Sequence, residues 1–138
     1  MRNGFSILPH PADVGIEAHG ATLARAFEQA ALGMMSVIVD LSTVTASTSL
    51  AVDVTGSDSE QLLVRWLSEV LYLYDGRRFV CAHCAIEEFE PTRLSARVSG
   101  EYLSGHHITR LDVKAVTYHQ LSIEEGDSIS TVRVYLDI

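Results

Sequence analysis

His10-Pro-Ala-Asp13-Val-Gly-Ile-Glu17-Ala-His-Gly20 reads as a strand of strict alternation, with Val14, Ile16 and Ala18 on one face and Asp13, Gly15, Glu17 and His19 on the other. Thr131-Val-Arg-Val-Tyr-Leu-Asp137-Ile138 is built the same way: Val132, Val134 and Leu136 face a core, and Thr131, Arg133, Tyr135 and Asp137 face outward. Laid antiparallel and adjacent, the two strands set Asp13 beside Asp137, with the carboxylate of Ile138 within a residue of the pair. Converging anionic oxygens repel one another unless a cation or a proton intervenes. Hard oxygen donors with no thiolate or imidazole among them suit calcium or magnesium. Two surface carboxylates at a sheet rim, with no ion, fit the same spacing.

Between these ends the pattern alternates strand and helix, then becomes strand after strand. Phe5 to Leu8 is a short first strand ended by Pro9 and Pro11. Thr22 is an N-cap for a helix to about Val39, on which Leu23, Phe27, Ala30, Ala31, Met34 and Ile38 recur at helical spacing. Asp40 to Thr48 is a loop and Leu50 to Val54 a strand. Ser57-Asp-Ser-Glu60 is a capping box for a second helix, whose apolar face runs from Leu62 to Tyr74 and which Asp75-Gly76 closes. Arg65 and Glu69 are spaced to pair on its polar side. Strands are then expected over Phe79 to Phe89, Arg93 to Gly100, Leu111 to Ile123 and Ser128 to Ile138, the last two joined by a turn at Glu125-Gly126-Asp127. The order argues an α+β fold, two helices packed on a mainly antiparallel sheet, with residues 1–138 as a single domain.

A net charge of −8 narrows the function classes. Proteins that hold RNA or DNA on their own surface normally carry a basic stripe. Here Lys114 is the one lysine among nine scattered arginines, so direct nucleic-acid binding is disfavoured and a basic protein partner is not. No apolar run is long enough to cross a bilayer and the start lacks a signal-peptide pattern, which points to the cytoplasm and to no membrane partner.

Motif chemistry adds little by itself. Cys81-Ala-His-Cys84 has no second cysteine pair to complete a zinc site, and in an unbroken strand its thiols point to opposite faces, as two partly buried cysteines. No nucleophile elbow, phosphate loop or dinucleotide fingerprint occurs. His106-His107 in a polar loop is read as exposed and inert, with acid–base or metal work as the alternative. Lys114 shares a face with Asp112 in a β-rich stretch; it is placed to neutralise the Asp13/Asp137 carboxylates, to meet a partner's phosphate, or to block edge pairing.

Taken together these stretches resemble the archease family, small protein cofactors of RtcB-type RNA ligases. The resemblance is carried by His10-x-Ala12-Asp13-Val-Gly15-Ile, Gly56-x-Asp58, Leu62-Leu63-Val-x-Trp66-Leu67-x-Glu69-x-Leu71-Tyr72, Asp75, Gly100-Glu101, His107, Lys114-Ala-Val-Thr-Tyr-His119 and Asp137-Ile138. Pro11 stands where the family usually has Thr, and Ser68 where it has Asn. The loop after Glu101 is a residue short and lacks its usual Asp. The resemblance implies an activator, not an enzyme. It would promote guanylylation and repeated turnover of an RtcB-type tRNA-splicing ligase and broaden the ligase's nucleotide triphosphate use. It implies a divalent metal on Asp13, Asp137 and Ile138, with calcium first and magnesium or manganese as alternatives. Lys114, His107 and Glu101 are then the candidates for contact with partner or phosphate. Two other functions remain: a chaperone-like adaptor for RNA-modifying enzymes working through Glu69 and Tyr72, and a metal-dependent hydrolase with His107 or His119 as base.

Overall fold

The alternating strands at the two ends of the chain become neighbours in the computed structural model, which describes residues 3–9 and 13–138. The front of the first motif, His10 to Ala12, lies outside the described residues. In chain order the elements are β1 (Gly4–Pro9), β2 (Asp13–Gly20), α1 (Leu23–Ile38), β3 (Thr48–Thr55), α2 (Ser59–Arg77), β4 (Phe79–Glu90), β5 (Arg93–Tyr102), β6 (Ala115–Glu125) and β7 (Ser130–Asp137). The expected α+β architecture holds, with the strands divided into two antiparallel sheets, β1-β2-β7-β6 and β3-β5-β4. Both helices pack across that division: α1 lies on β2 and β7 and reaches β4, while α2 lies between β6 and β3. No described helix is long and apolar enough to cross a membrane.

The apolar faces read from the sequence are the core. Ile16, Ala18, Val132, Val134 and Leu136 are fully buried against Phe27, Ala30, Ala31 and Met34 of α1. Trp66 of α2 sits at its centre with no exposed surface, and its indole Nε1 donates to the carbonyl of Phe27 at 2.9 Å. That bond joins the two helices and satisfies the one polar group the ring brings inside. Trp66→Phe keeps the ring's bulk in part but removes the donor, so it is expected to cost about 2 kcal/mol in urea unfolding. A charged stitch joins α1 to the second sheet. Glu28 Oε2 accepts from Ile86 N at 2.6 Å and meets Arg25 Nη2 at 3.1 Å, while Arg25 Nη2 donates to Ile86 O at 2.7 Å. Burial pushes the Glu28 carboxyl up, and these partners pull it back.

The structure corrects several local expectations. The N-cap of α2 is Asp58, which accepts from Gln61 N at 2.8 Å, while Gln61 Oε1 reaches back to Ser57 N at 2.8 Å. The box is thus one residue later than Ser57–Glu60. The helix also runs through Asp75-Gly76 and ends at Arg78, in the left-handed region at φ 56°. Arg65 turns to the carbonyl of Thr55, 3.4 Å away, and not to Glu69. In β4 a bulge at Ala82 sets Cys81 opposite Gly100 and His83 opposite Ser99. One extra residue restores parity, so both thiols face inward and both cysteines are buried. A hydrogen bond with Cys81 and burial push the Cys84 thiol up, which keeps it protonated and unreactive. Tyr135, expected outward, is buried because its ring lies over Gly15, where a Cβ would come within 2.8 Å of it. Residues 111–114 are not strand: Leu111 N donates to the end of α1, and Lys114 N donates to Asp137 O.

Candidate functional site

The β2/β7 register pairs Asp13 with Asp137, and two steps further along it pairs Gly15 with Tyr135, then Glu17 with Arg133. Directly opposed residues of an antiparallel pair project from the same face with Cβ atoms about 5 Å apart. Glu17 and Arg133 use that proximity for an ion pair. At the end of the same face the sheet sets carboxylate against carboxylate, an arrangement that is unfavourable between bare charges. β6 closes the third side: Ala115 is opposite Asp137, and Lys114 N donates to Asp137 O at 2.8 Å. Ile138 follows, 37% exposed. The donor set is oxygen only, which fits a hard divalent cation. The register therefore opposes Asp13 to Asp137, with Ile138 next in the chain. The structure brings the Lys114 backbone to Asp137, while the Lys114 side chain lines a groove against Tyr72 and Asp75 of α2.

Lys114 reaches this place on a tethered crossing from one sheet to the other. The last carbonyls of an α-helix lack intrahelical donors. Here Arg110 N and Leu111 N donate to Ile38 O and Val37 O of α1 at 2.7 and 3.1 Å, and Asp40 N donates to Ile108 O at 2.8 Å. That use of the Arg110 and Leu111 N–H groups explains why the strand does not begin at Leu111.

The start of the crossing is locked by Glu101 and His107. His107 is buried, not exposed as its polar neighbourhood suggested. Ser104 N donates to its Nδ1 at 2.9 Å, so the ring proton belongs on Nε2, which donates to Glu101 Oε1 at 2.8 Å. Thr45 N adds a second donor to that oxygen at 2.8 Å, and His106 Nε2 lies 3.3 Å away. The three side chains bring their ligand atoms within 4.8 Å of one another, the composition of a transition-metal site. The hydrogen bonds favour a lock instead. Ligation through His107 Nε2 would move the proton to Nδ1, where the Ser104 N–H already points. The sequence supplied Glu101 and His107; it gave no sign of Thr45 and Ser104, which become partners only through the fold.

The bonds from Thr45, then His107 and His106, hold the Glu101 carboxyl down to about 2, from an ordinary value of 4.5. A lowered folded-state value means stability present above pH 4.5 and lost as pH falls towards 2. Urea midpoints for the chain and for Glu101→Gln are expected to differ at pH 6 and to converge through that window. A constant difference would show that the carboxylate charge is not what the lock uses.

Fold and rim together define a two-helix α+β domain with an acidic sheet end, and comparison places that domain. The model of the archease protein family (MTH1598/TM1083) matches residues 5–138. Protein archease of Methanosarcina acetivorans is 38% identical over 97% of this chain and 95% of its own length. Protein archease of Methanothermobacter thermautotrophicus is 34% identical over 98% and 99%. The solution structure of Methanobacterium thermoautotrophicum protein 1598 superposes with a TM-score of 0.81 at 34% identity, covering 98% of this chain and 99% of that one. A crystal structure from Thermotoga maritima, described as an archease and possible chaperone, has a TM-score of 0.61 at 16% identity over 100% and 98%, which shows shared fold alone. The chain belongs to the archease family.

Proposed function

We propose that this protein is an accessory activator of an RtcB-type RNA ligase. In this role it promotes guanylylation and repeated turnover of the ligase through a divalent cation held at the Asp13/Asp137 rim. Family membership supports the role, and one observation carries the mechanism: the register that opposes Glu17 to Arg133 opposes Asp13 to Asp137 on the same face. Asp13 and Asp137 would hold the ion, with Ile138 as third ligand and calcium as the first candidate. When bound, the ion supplies positive charge to phosphate oxygens or orders a second metal in the ligase pocket. Lys114 N is bonded to Asp137 O, and from the adjoining groove its ammonium would balance the rim's charge or meet a partner's phosphate. The deciding assay is guanylylation of an RtcB-type ligase in limiting divalent metal, with and without this protein. A faster, multiple-turnover reaction is expected; an unchanged one removes the proposal.

The exposed α2 face around Tyr72 favours a second reading, an adaptor that docks partners there. Partner binding that survives loss of both Asp13 and Asp137 while guanylylation is never stimulated would select it.

A further inference from the structure

Helix α2 lies between the edge strands β3 and β6 of the two sheets, and its outer face is concave on both sides. One hollow of about 470 Å³ lies between α2 and Asp53–Thr55 of β3; another, of about 270 Å³, lies between α2 and Lys114–Val116. Ser68 and Tyr72 line both, so the two hollows adjoin over α2 with Tyr72 between them. Tyr72 is 58% exposed, and its ring rests on Gly76, where a Cβ would approach to 2.7 Å. An aromatic face is thereby held in the open.

The charges around that ring are unbalanced. Asp53, Glu69 and Asp75 line the groove against Arg65 and Lys114. Arg65 is turned to the Thr55 carbonyl, and among the described residues no ion pair engages Glu69 or Asp75. Phosphate would meet a surplus of carboxylates here. A planar guanidinium instead gains the ring face and carboxylate hydrogen bonds together. We propose that the groove over α2 is a docking site for an extended, arginine-bearing segment of a partner protein, centred on Tyr72 with Glu69 and Asp75 beside it. The site stands on α2, β3 and the Lys114–Val116 segment, uses neither Asp13 nor Asp137, and operates without a metal.

The probe is a fluorescein-labelled octapeptide of alternating arginine and glycine, read by anisotropy on the full chain at moderate salt. A lysine–glycine octapeptide and a 5′-phosphorylated tetrauridylate are run beside it. The arginine peptide is expected to bind at least about 5-fold more tightly than the lysine peptide, because ring and carboxylate geometry reward the guanidinium. Tyr72→Ala and Glu69→Gln are each expected to weaken it by about 5-fold, the worth of one exposed cation–π or charged contact. Glu88→Gln, an exposed carboxylate on β4, leaves binding unchanged. Circular dichroism spectra matching the parent chain establish that the variants are folded. Equal affinity of the two peptides, equal loss in Glu88→Gln, or preference for the tetrauridylate each overturns the proposal. Asp13→Ala retains peptide binding here, so failure of the rim mechanism and failure of the groove are separately visible.

Discussion

Asp13→Ala and Asp137→Ala are expected to abolish stimulation of ligase guanylylation while leaving the metal-free protein folded, with Asp137→Ala as stable as the parent or more so. The two effects have one cause. Opposed carboxylates repel, so removing the exposed Asp137 carboxylate relieves about 0.2–1 kcal/mol of unfavourable pairing. Neither side chain belongs to the core: Asp137 is exposed, Asp13 half-buried, and the inward positions beside them are Val14 and Leu136. With either carboxylate gone, two of three proposed oxygen ligands remain, and divalent affinity should fall by more than about 100-fold. Thermal unfolding in chelator and a guanylylation time course read the two halves independently. Full stimulation by both variants ends the mechanism. Marked destabilisation in chelator would instead make the pair a structural element.

The largest expected effect on stability lies elsewhere. Gly100→Ala should destabilise by about 3–5 kcal/mol, enough to leave a small domain largely unfolded at modest urea. A Cβ built on Gly100 falls 1.7 Å from the carbonyl oxygen of Val80, a backbone atom that no rotamer change can move. The close approach comes from the bulge at Ala82, which sets Cys81 across from Gly100. Relieving the clash means moving β4 off β5, and with it the buried Phe79, Val80, Cys81 and Cys84. Gly105→Ala supplies the comparison, since a Cβ there meets nothing within 4 Å and should change stability by less than about 0.5 kcal/mol. Equal urea midpoints for the two variants would contradict the packing described for this sheet pair.

How much of this was readable from the residues depends on the range of the forces involved. β2 and β7 were legible because each carries an unbroken period of two, so apolar parity alone assigns faces, and adjacency then fixes which carboxylates meet. The α1 cap at Thr22 and the apolar faces of both helices are local properties and came through intact. Parity failed where the backbone inserted a residue: nothing in Cys81-Ala-His-Cys84 announces a bulge whose partner, Gly100, lies in another strand. The strand expected from Leu111 began only at Ala115, because the N–H groups of Arg110 and Leu111 answer carbonyls of α1 more than 70 positions away. His107 looked like a surface histidine for the same reason. Its burial and tautomer are set by Ser104 and Glu101 within a loop shaped by contacts with Thr43, Thr45 and Asp40. At the carboxylate rim itself, the side-chain types and their register could both be inferred, whereas the groove over α2 depends on how helix and sheet edges meet.

Calorimetric titration of calcium into the metal-stripped full chain, repeated with Asp137→Ala, goes straight to the rim. One saturable site in the parent chain, lost in the variant, is the predicted outcome. A flat titration of the parent, or the same isotherm from both proteins, would mean that Asp13 and Asp137 do not hold a cation.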